Sequence, residues 1–213
     1  MRLTKYGHAC VAVEKDGRRI VLDPGGLTPQ DAAAGAEAIL ITHEHFDHFS
    51  ERAVRAACAR EPGIRVFTCA AVAAQLDGLG AALHVVGEGD AIEVAGFGVQ
   101  VHGQWHAAIH PDIPRITNIG FLLDGSLFHP GDALTVPGSA VRTLLLPVHA
   151  PWSRTGQLID WVREVAPQQT LAIHDGALNE VGIAVVGGLL GENGPGTGAS
   201  YTRLTPGESL ETS

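Results

Sequence analysis

The segment Thr42-His43-Glu44-His45-Phe46-Asp47-His48 places His43, His45, Asp47 and His48 within six positions, directly after the apolar run 36–41. His43 and His45 are two residues apart, so in extended backbone their side chains point the same way. Asp47 and His48 fall where the following Ala-rich stretch begins a helix. Neutral imidazole and carboxylate are the ligand set of Zn²⁺ and similar divalent ions. Crowded into one loop without a cation, such groups would lose hydration for little return. His106, Asp132 and His174 each follow a strand-like run and lead into a loop or a glycine. Seven ligands exceed one closed tetrahedral site and suit two metals with open positions.

The elements that must position these groups are legible as alternating and apolar runs. Residues 2–13 alternate, Asp16-Gly17 makes a turn and 19–22 return, which reads as a β-hairpin. Short strands are expected at 36–41, 64–68, 83–86, 91–94, 97–102, 143–147 and 170–173. A second hairpin is expected at 118–123 and 126–129, turning at Asp124-Gly125. Helices are expected at 51–60, 70–76, 155–165 and 177–190. The helix at 155–165 presents Leu158, Ile159, Trp161, Val162 and Val165 as its apolar face. One more edge strand is expected near 201–204, inside a Gly/Pro-rich tail that begins at about 191. Two sheets covered by outer helices is the layered solution this order favours. The 213 residues are read as a single domain, 1–213.

Composition narrows the function. There are 23 acidic and 14 basic residues, a formal charge of −9, and an acidic surface repels a phosphate backbone, so no nucleic-acid partner is expected. No apolar run approaches the roughly 20 residues of a membrane helix, and no apolar leader core follows Met1, so the expected location is the cytoplasm. Cys10, Cys58 and Cys69 are too few and too scattered for a disulfide framework or a zinc knuckle.

The ordered set His43-x-His45-x-Asp47-His48, then His106, Asp132 and His174, resembles the metallo-β-lactamase superfamily. The segments Tyr6-Gly7-His8-Ala9, Leu22-Asp23-Pro24-Gly25 and Phe128-His129-Pro130-Gly131-Asp132 resemble its compact branch, which includes the L-ascorbate-6-phosphate lactonase-like hydrolases. The resemblance spans about residues 1 to 190. It implies an α/β fold, a four-layer αββα sandwich of two mixed sheets with outer helices and metals at one edge. It further implies that His43, His45 and His106 hold one divalent ion and Asp47, His48 and His174 a second. Asp132 would bridge them, with Asp23 supporting the site from behind. Two ions are implied, Zn²⁺ first, with Mn²⁺ or Fe as alternatives.

The implied activity is metal-dependent hydrolysis of a small ester, lactone or phosphoester, anionic in character, by a metal-bridging hydroxide. Asp47 is placed to orient the nucleophile and pass a proton to the leaving group. His110 is a candidate either to contact substrate or donate to the oxyanion, or equally to cap the loop before Pro111. Arg115 and Arg154 are candidates for a substrate carboxylate or phosphate. His8 is read as a residue near the site floor, and His149 as lining or structural. Trp105 and Trp152 are read as pocket walls or core. A homo-oligomer is an open possibility. The alternative reading keeps the fold but makes the protein a non-hydrolytic iron redox or ligand-binding protein.

Overall fold

The computed structural model describes residues 1–191 and 193–212; Glu192 and Ser213, both in the Gly/Pro-rich tail, lie outside the described residues. The chain opens with strands β1 (Arg2–Gly7), β2 (Cys10–Lys15), β3 (Arg18–Leu22) and β4 (Ala38–Ile41), then helix α1 (Glu51–Arg60). Strand β5 (Arg65–Thr68), helix α2 (Ala70–Gln75) and strands β6 (Leu83–Val85), β7 (Ala91–Val94), β8 (Phe97–His102), β9 (Gly120–Leu123), β10 (Leu127–His129) and β11 (Thr143–Pro147) follow. The last elements are α3 (Thr155–Val165), β12 (Gln169–Ile173), α4 (Glu180–Leu190), β13 (Ser200–Thr202) and β14 (Ser209–Glu211).

These strands form two seven-stranded mixed sheets, ordered β14-β1-β2-β3-β4-β5-β6 and β13-β12-β11-β10-β9-β8-β7. Alternation along β11 shows how the second sheet is covered. Leu145 joins the main core between the sheets, while Leu144 and Leu146 pack with Leu158, Trp161 and Val162 of α3 and with Val186 and Leu190 of α4. Both faces are therefore dry, which is why 143–147 reads as an unbroken apolar run. On the other side, Val54 and Ala57 of α1 and Val72 of α2 join the core with the first sheet. The result is the expected helix–sheet–sheet–helix sandwich.

Topology gathers one set of strand ends at one edge. In the first sheet β3 and β4 run parallel, and β1 is antiparallel to β2, which is antiparallel to β3. So β1, β3 and β4 all finish at the same side. In the second sheet β10, β11 and β12 run parallel, and β8 shares their direction because β9 is antiparallel to both β8 and β10.

Three expectations need correction. Residues 2–13 are two strands, broken at Gly7-His8-Ala9 and joined by a tight turn, not one arm of a hairpin. Gly7, where β1 ends, has φ 147° and His8 φ 34°, positive-φ conformations that turn the chain out of the strand. The last helix starts at Glu180 rather than 177, because the Asn179 side chain accepts from the Gly182 N–H and caps it. Strand β14 was unexpected; it adds an edge beside β1, pairing Glu211 with Arg2.

Candidate metal centre

Each turn at the shared edge delivers one or more of the expected ligands. The 43–48 loop leaves β4, while His106, Asp132 and His174 follow β8, β10 and β12. His43, His45, His106 and Asp132 offer ligand atoms all within 4.8 Å of one another, and so do His8, Asp47, His48 and His174. The two groups abut: the rings of His43 and His48 lie 4.1 Å apart, and the His48 Nε2 stands 3.1 Å from Asp132 Oδ1. All seven sequence-read ligands are thus brought together, and His8 joins them.

The hydrogen bonds prepare four rings to face a cation. The His48 Nδ1–H donates to Asp23 Oδ2 at 2.7 Å, the His106 Nδ1–H to the Ala107 carbonyl at 2.6 Å and the His174 Nδ1–H to the His149 carbonyl at 2.6 Å. The His43 Nδ1–H donates to Thr42 Oγ1 at 2.9 Å, whose own proton goes to Asp23 Oδ2. A neutral ring so anchored keeps its lone pair on Nε2. The Nε2 atoms of His43, His48, His106 and His174 and Asp132 Oδ1 are all buried without a hydrogen-bond partner among the described residues. Buried polar atoms left this way are rare, and here they converge. This is the arrangement a divalent cation satisfies, so the residues fit the pair of ions implied by the sequence.

Protons compete for the same lone pairs. Burial alone would lower His48, but the carboxylates of Asp132 and Asp23 outweigh it and push the ring up to about 10. Burial also works against His174, but Asp132 and Asp47 push it up to about 9. Burial raises the carboxyl of Asp132, yet His48, His106 and His174 hold it well below the usual range. Asp47 is lowered in the same way, burial being overcome by His174 and His8. A cation entering at neutral pH therefore displaces protons, and the carboxylates are already ionised to receive it.

Asp132, a candidate ligand, is held from two sides. The Trp152 Nε1–H donates to its Oδ2 at 2.8 Å, and its own N–H donates to Asn118 Oδ1 at 2.9 Å. Asp23 plays the corresponding part behind the first loop, accepting from the Thr42 N–H at 2.8 Å, the Thr42 hydroxyl at 2.7 Å and His48. Sequence reasoning placed Asp23 correctly but missed Thr42 and Asn118, and it read Trp152 as wall or core. No spacing rule marks such partners, because each acts across the fold.

The remaining candidates lie outside the clusters. His110 is exposed on the 107–116 loop, where its Nδ1 accepts from the Asp112 N–H at 3.2 Å. His149 is also exposed and serves the site through its carbonyl. The Arg115 Nε donates to the His106 carbonyl at 2.9 Å, and its guanidinium sits 6.0 Å from the centre of the Trp105 ring. Arg154 is exposed just before α3.

His8, Asp23 and His174 all adopt left-handed backbone conformations, with φ of 34°, 45° and 61°. Such strain in non-glycine residues is of order 1–3 kcal/mol each and collects at functional sites. Glycine is required where the Asp23 turn meets the ligand loop: a Cβ on Gly25 would lie 2.0 Å from the Asp47 carbonyl oxygen. Gly25→Ala is therefore expected to push the 43–48 loop out of place and weaken metal binding at least tenfold, the lower end for losing a ligand's support. A competition titration against a chelating dye measures this, and unchanged affinity would show the loop is not held by that contact.

A family model described as the beta-lactamase superfamily domain matches residues 2–174. Protein Rv0786c of Mycobacterium tuberculosis is 38% identical over 180 residues, covering 82% of this chain and 84% of that protein. An Aeropyrum pernix protein described as a UPF0173 metal-dependent hydrolase is 38% identical over 77 residues, 34% of this chain and 31% of its own. Among solved structures, Igni18, a metallo hydrolase from Ignicoccus hospitalis, is similar with a TM-score of 0.77 at 19% identity, covering 100% of this chain and 99% of its own. At that identity the likeness speaks for the fold alone.

Proposed function

This chain belongs to the beta-lactamase superfamily, and from that premise we propose that it is a metal-dependent hydrolase of small esters, lactones or phosphoesters with two divalent cations in the adjoining clusters. The observation that carries the reading is the convergence of four unpartnered Nε2 atoms around the Asp132 carboxylate. His43, His45 and His106 would hold one cation and Asp47, His48 and His174 the other, with Asp132 between them. Bound there, such a pair supplies Lewis acidity and makes a water-derived nucleophile available near neutral pH.

The chain's own residues do the rest. Asp47, half-buried at the mouth of the clusters, is placed to accept the nucleophile's proton and return it to the leaving group. His110, on the exposed loop beside His106, would meet the substrate rather than a cation. The ligand set suits Zn²⁺, with Mn²⁺ or Fe as alternatives.

The rim describes the substrate further. Leu27, Phe46, Trp105, Ile109 and Ile113 are all exposed although apolar, and all lie on loops that carry or flank ligands. A small cleft runs from His45 and His106 along Ile109, Ile113 and Ile116. Exposed apolar side chains grouped at a concave site mark a binding surface. A substrate would present its anionic or carbonyl centre to the cations and an apolar group to this wall.

The test loads purified chain with Zn²⁺ or Mn²⁺ and assays lactones, phosphodiesters and p-nitrophenyl esters of increasing acyl length. Turnover that a chelator abolishes and metal restores is expected, with kcat/KM rising about tenfold for every two methylenes added, at about 0.8 kcal/mol per CH₂. No turnover on any class by fully loaded protein would overturn the reading. Loading is also expected to stabilise the fold: at about 100 times Kd, one bound cation adds about 2.7 kcal/mol. For a chain of this size that raises Tm by roughly 5–10 °C in a thermal melt, and an unchanged Tm would mean that the clusters do not take the ion.

A further inference from the structure

His8 sits inside one of the two ligand clusters, and distance alone would make it a fourth protein ligand beside Asp47, His48 and His174. Its hydrogen bonds run the other way. The Gly176 N–H donates to His8 Nδ1 at 3.1 Å, so that nitrogen is an acceptor and carries no proton. A neutral imidazole has one N–H, which must then sit on Nε2. That nitrogen lies 3.1 Å from Asp47 Oδ2. His43, His48, His106 and His174 are anchored with the opposite polarity, their Nδ1–H groups donating to fixed acceptors and their Nε2 lone pairs facing inward.

We propose that His8 is a positioning residue and not a metal ligand: its Nε2–H grips the Asp47 carboxylate while the Gly176 N–H, just past β12, fixes its tautomer. The inference rests on the metal-centre reading above. The grip is itself well held. The His8 carbonyl accepts from the His174 N–H at 2.9 Å, and the two rings meet at a 55° tilt with centres 3.9 Å apart. A Cβ on Gly176 would come within 2.8 Å of His8 Nδ1, so the donor N–H approaches this closely only because residue 176 is glycine. The left-handed turn at His8, which breaks the run 2–13 into two strands, is what aims the ring at Asp47. One oxygen of Asp47 is thereby fixed, which sets the plane of the carboxylate and the direction of its other oxygen.

The test has two arms. In the first, long-range ¹H–¹⁵N spectra of uniformly ¹⁵N-labelled chain, loaded with ¹¹³Cd²⁺, identify each ring's protonated nitrogen and its metal couplings, with His8→Gln assigning the His8 signals. Expected are an Nε2–H tautomer and no cadmium coupling for His8, against Nδ1–H tautomers for His43, His48, His106 and His174. Cadmium coupling to the His8 ring, or an Nδ1–H tautomer, overturns the proposal. The tautomer is read in metal-free chain too, so the inference is tested even if the protein hydrolyses nothing and the functional reading falls.

In the second arm, His8→Ala and His8→Gln are compared for cation stoichiometry and kcat. His8→Ala is expected to keep the wild-type stoichiometry and lose about 10–100-fold in kcat. His8→Gln, whose amide N–H reaches a similar position, is expected to recover most of it. Loss of a cation in His8→Ala would make His8 a ligand, and unchanged kcat in both variants would remove the positioning role. Should His8→Ala fail to fold, His8→Gln and the spectra of the wild-type chain still decide the matter.

Discussion

Asp132→Asn is expected to lower kcat/KM by about 10²–10³-fold, the scale of losing one preorganised electrostatic partner. It is also expected to reduce bound metal below the wild-type stoichiometry. Asparagine keeps the shape and lets the Trp152 Nε1–H, now 2.8 Å from Oδ2, retain an acceptor oxygen. Its NH₂ would then replace Oδ1, which stands 3.1 Å from the His48 Nε2, while the Nε2 atoms of His106 and His174 still face the retained oxygen at 3.4 and 3.1 Å. An amide nitrogen cannot accept a cation there, and its proton would claim the His48 lone pair. Metal analysis after gel filtration, alongside progress curves, reads both effects. Full metal content with full turnover would show that Asp132 is not the shared ligand.

The second large effect is expected at Asp23. This carboxylate is fully buried and accepts from the Thr42 N–H, the Thr42 hydroxyl and His48. Asp23→Ala leaves those donors without partners, and breaking a buried charged network in this way costs about 3–5 kcal/mol. Tm is expected to fall by roughly 6–20 °C. Metal affinity is expected to drop 10–100-fold, because the His48 ring loses the group that fixes its tautomer. Asp23→Asn, which keeps one acceptor oxygen, is expected to fall between the two. Differential scanning calorimetry with and without Zn²⁺ separates the contributions, and an Asp23→Ala variant melting like the wild type would refute the account.

The candidate ligands were legible in the sequence because ligand chemistry is local: His43, His45, Asp47 and His48 advertise themselves by crowding. His106, Asp132 and His174 were legible because each ends an apolar run. The layers followed from the same runs, since strands such as Thr143–Pro147 are buried on both faces. The break at Gly7-His8 was missed, although an isolated glycine inside a strand pattern was the available signal. His8 therefore entered the reading as a floor residue and emerged within a ligand cluster. Its role depends on Gly176, which follows a strand of the other sheet, and no spacing encodes that. Thr42, Asn118 and Trp152 escaped for the same reason. Arg115, a candidate for a substrate anion or else a surface residue, has its Nε committed to the His106 carbonyl. The donors of a side chain can be claimed by backbone that only the fold brings near.

The ligand loops come from both sheets, His43 to His48 from the first and His106, Asp132 and His174 from the second. Neither layer by itself holds a complete set for either ion. During folding the centre can therefore assemble only after the two β-layers have met face to face, so cation capture reports their docking rather than the folding of either half. Cations held there would rivet the open edge of the sandwich, and prising the layers apart would mean stripping coordination bonds as well as exposing the core.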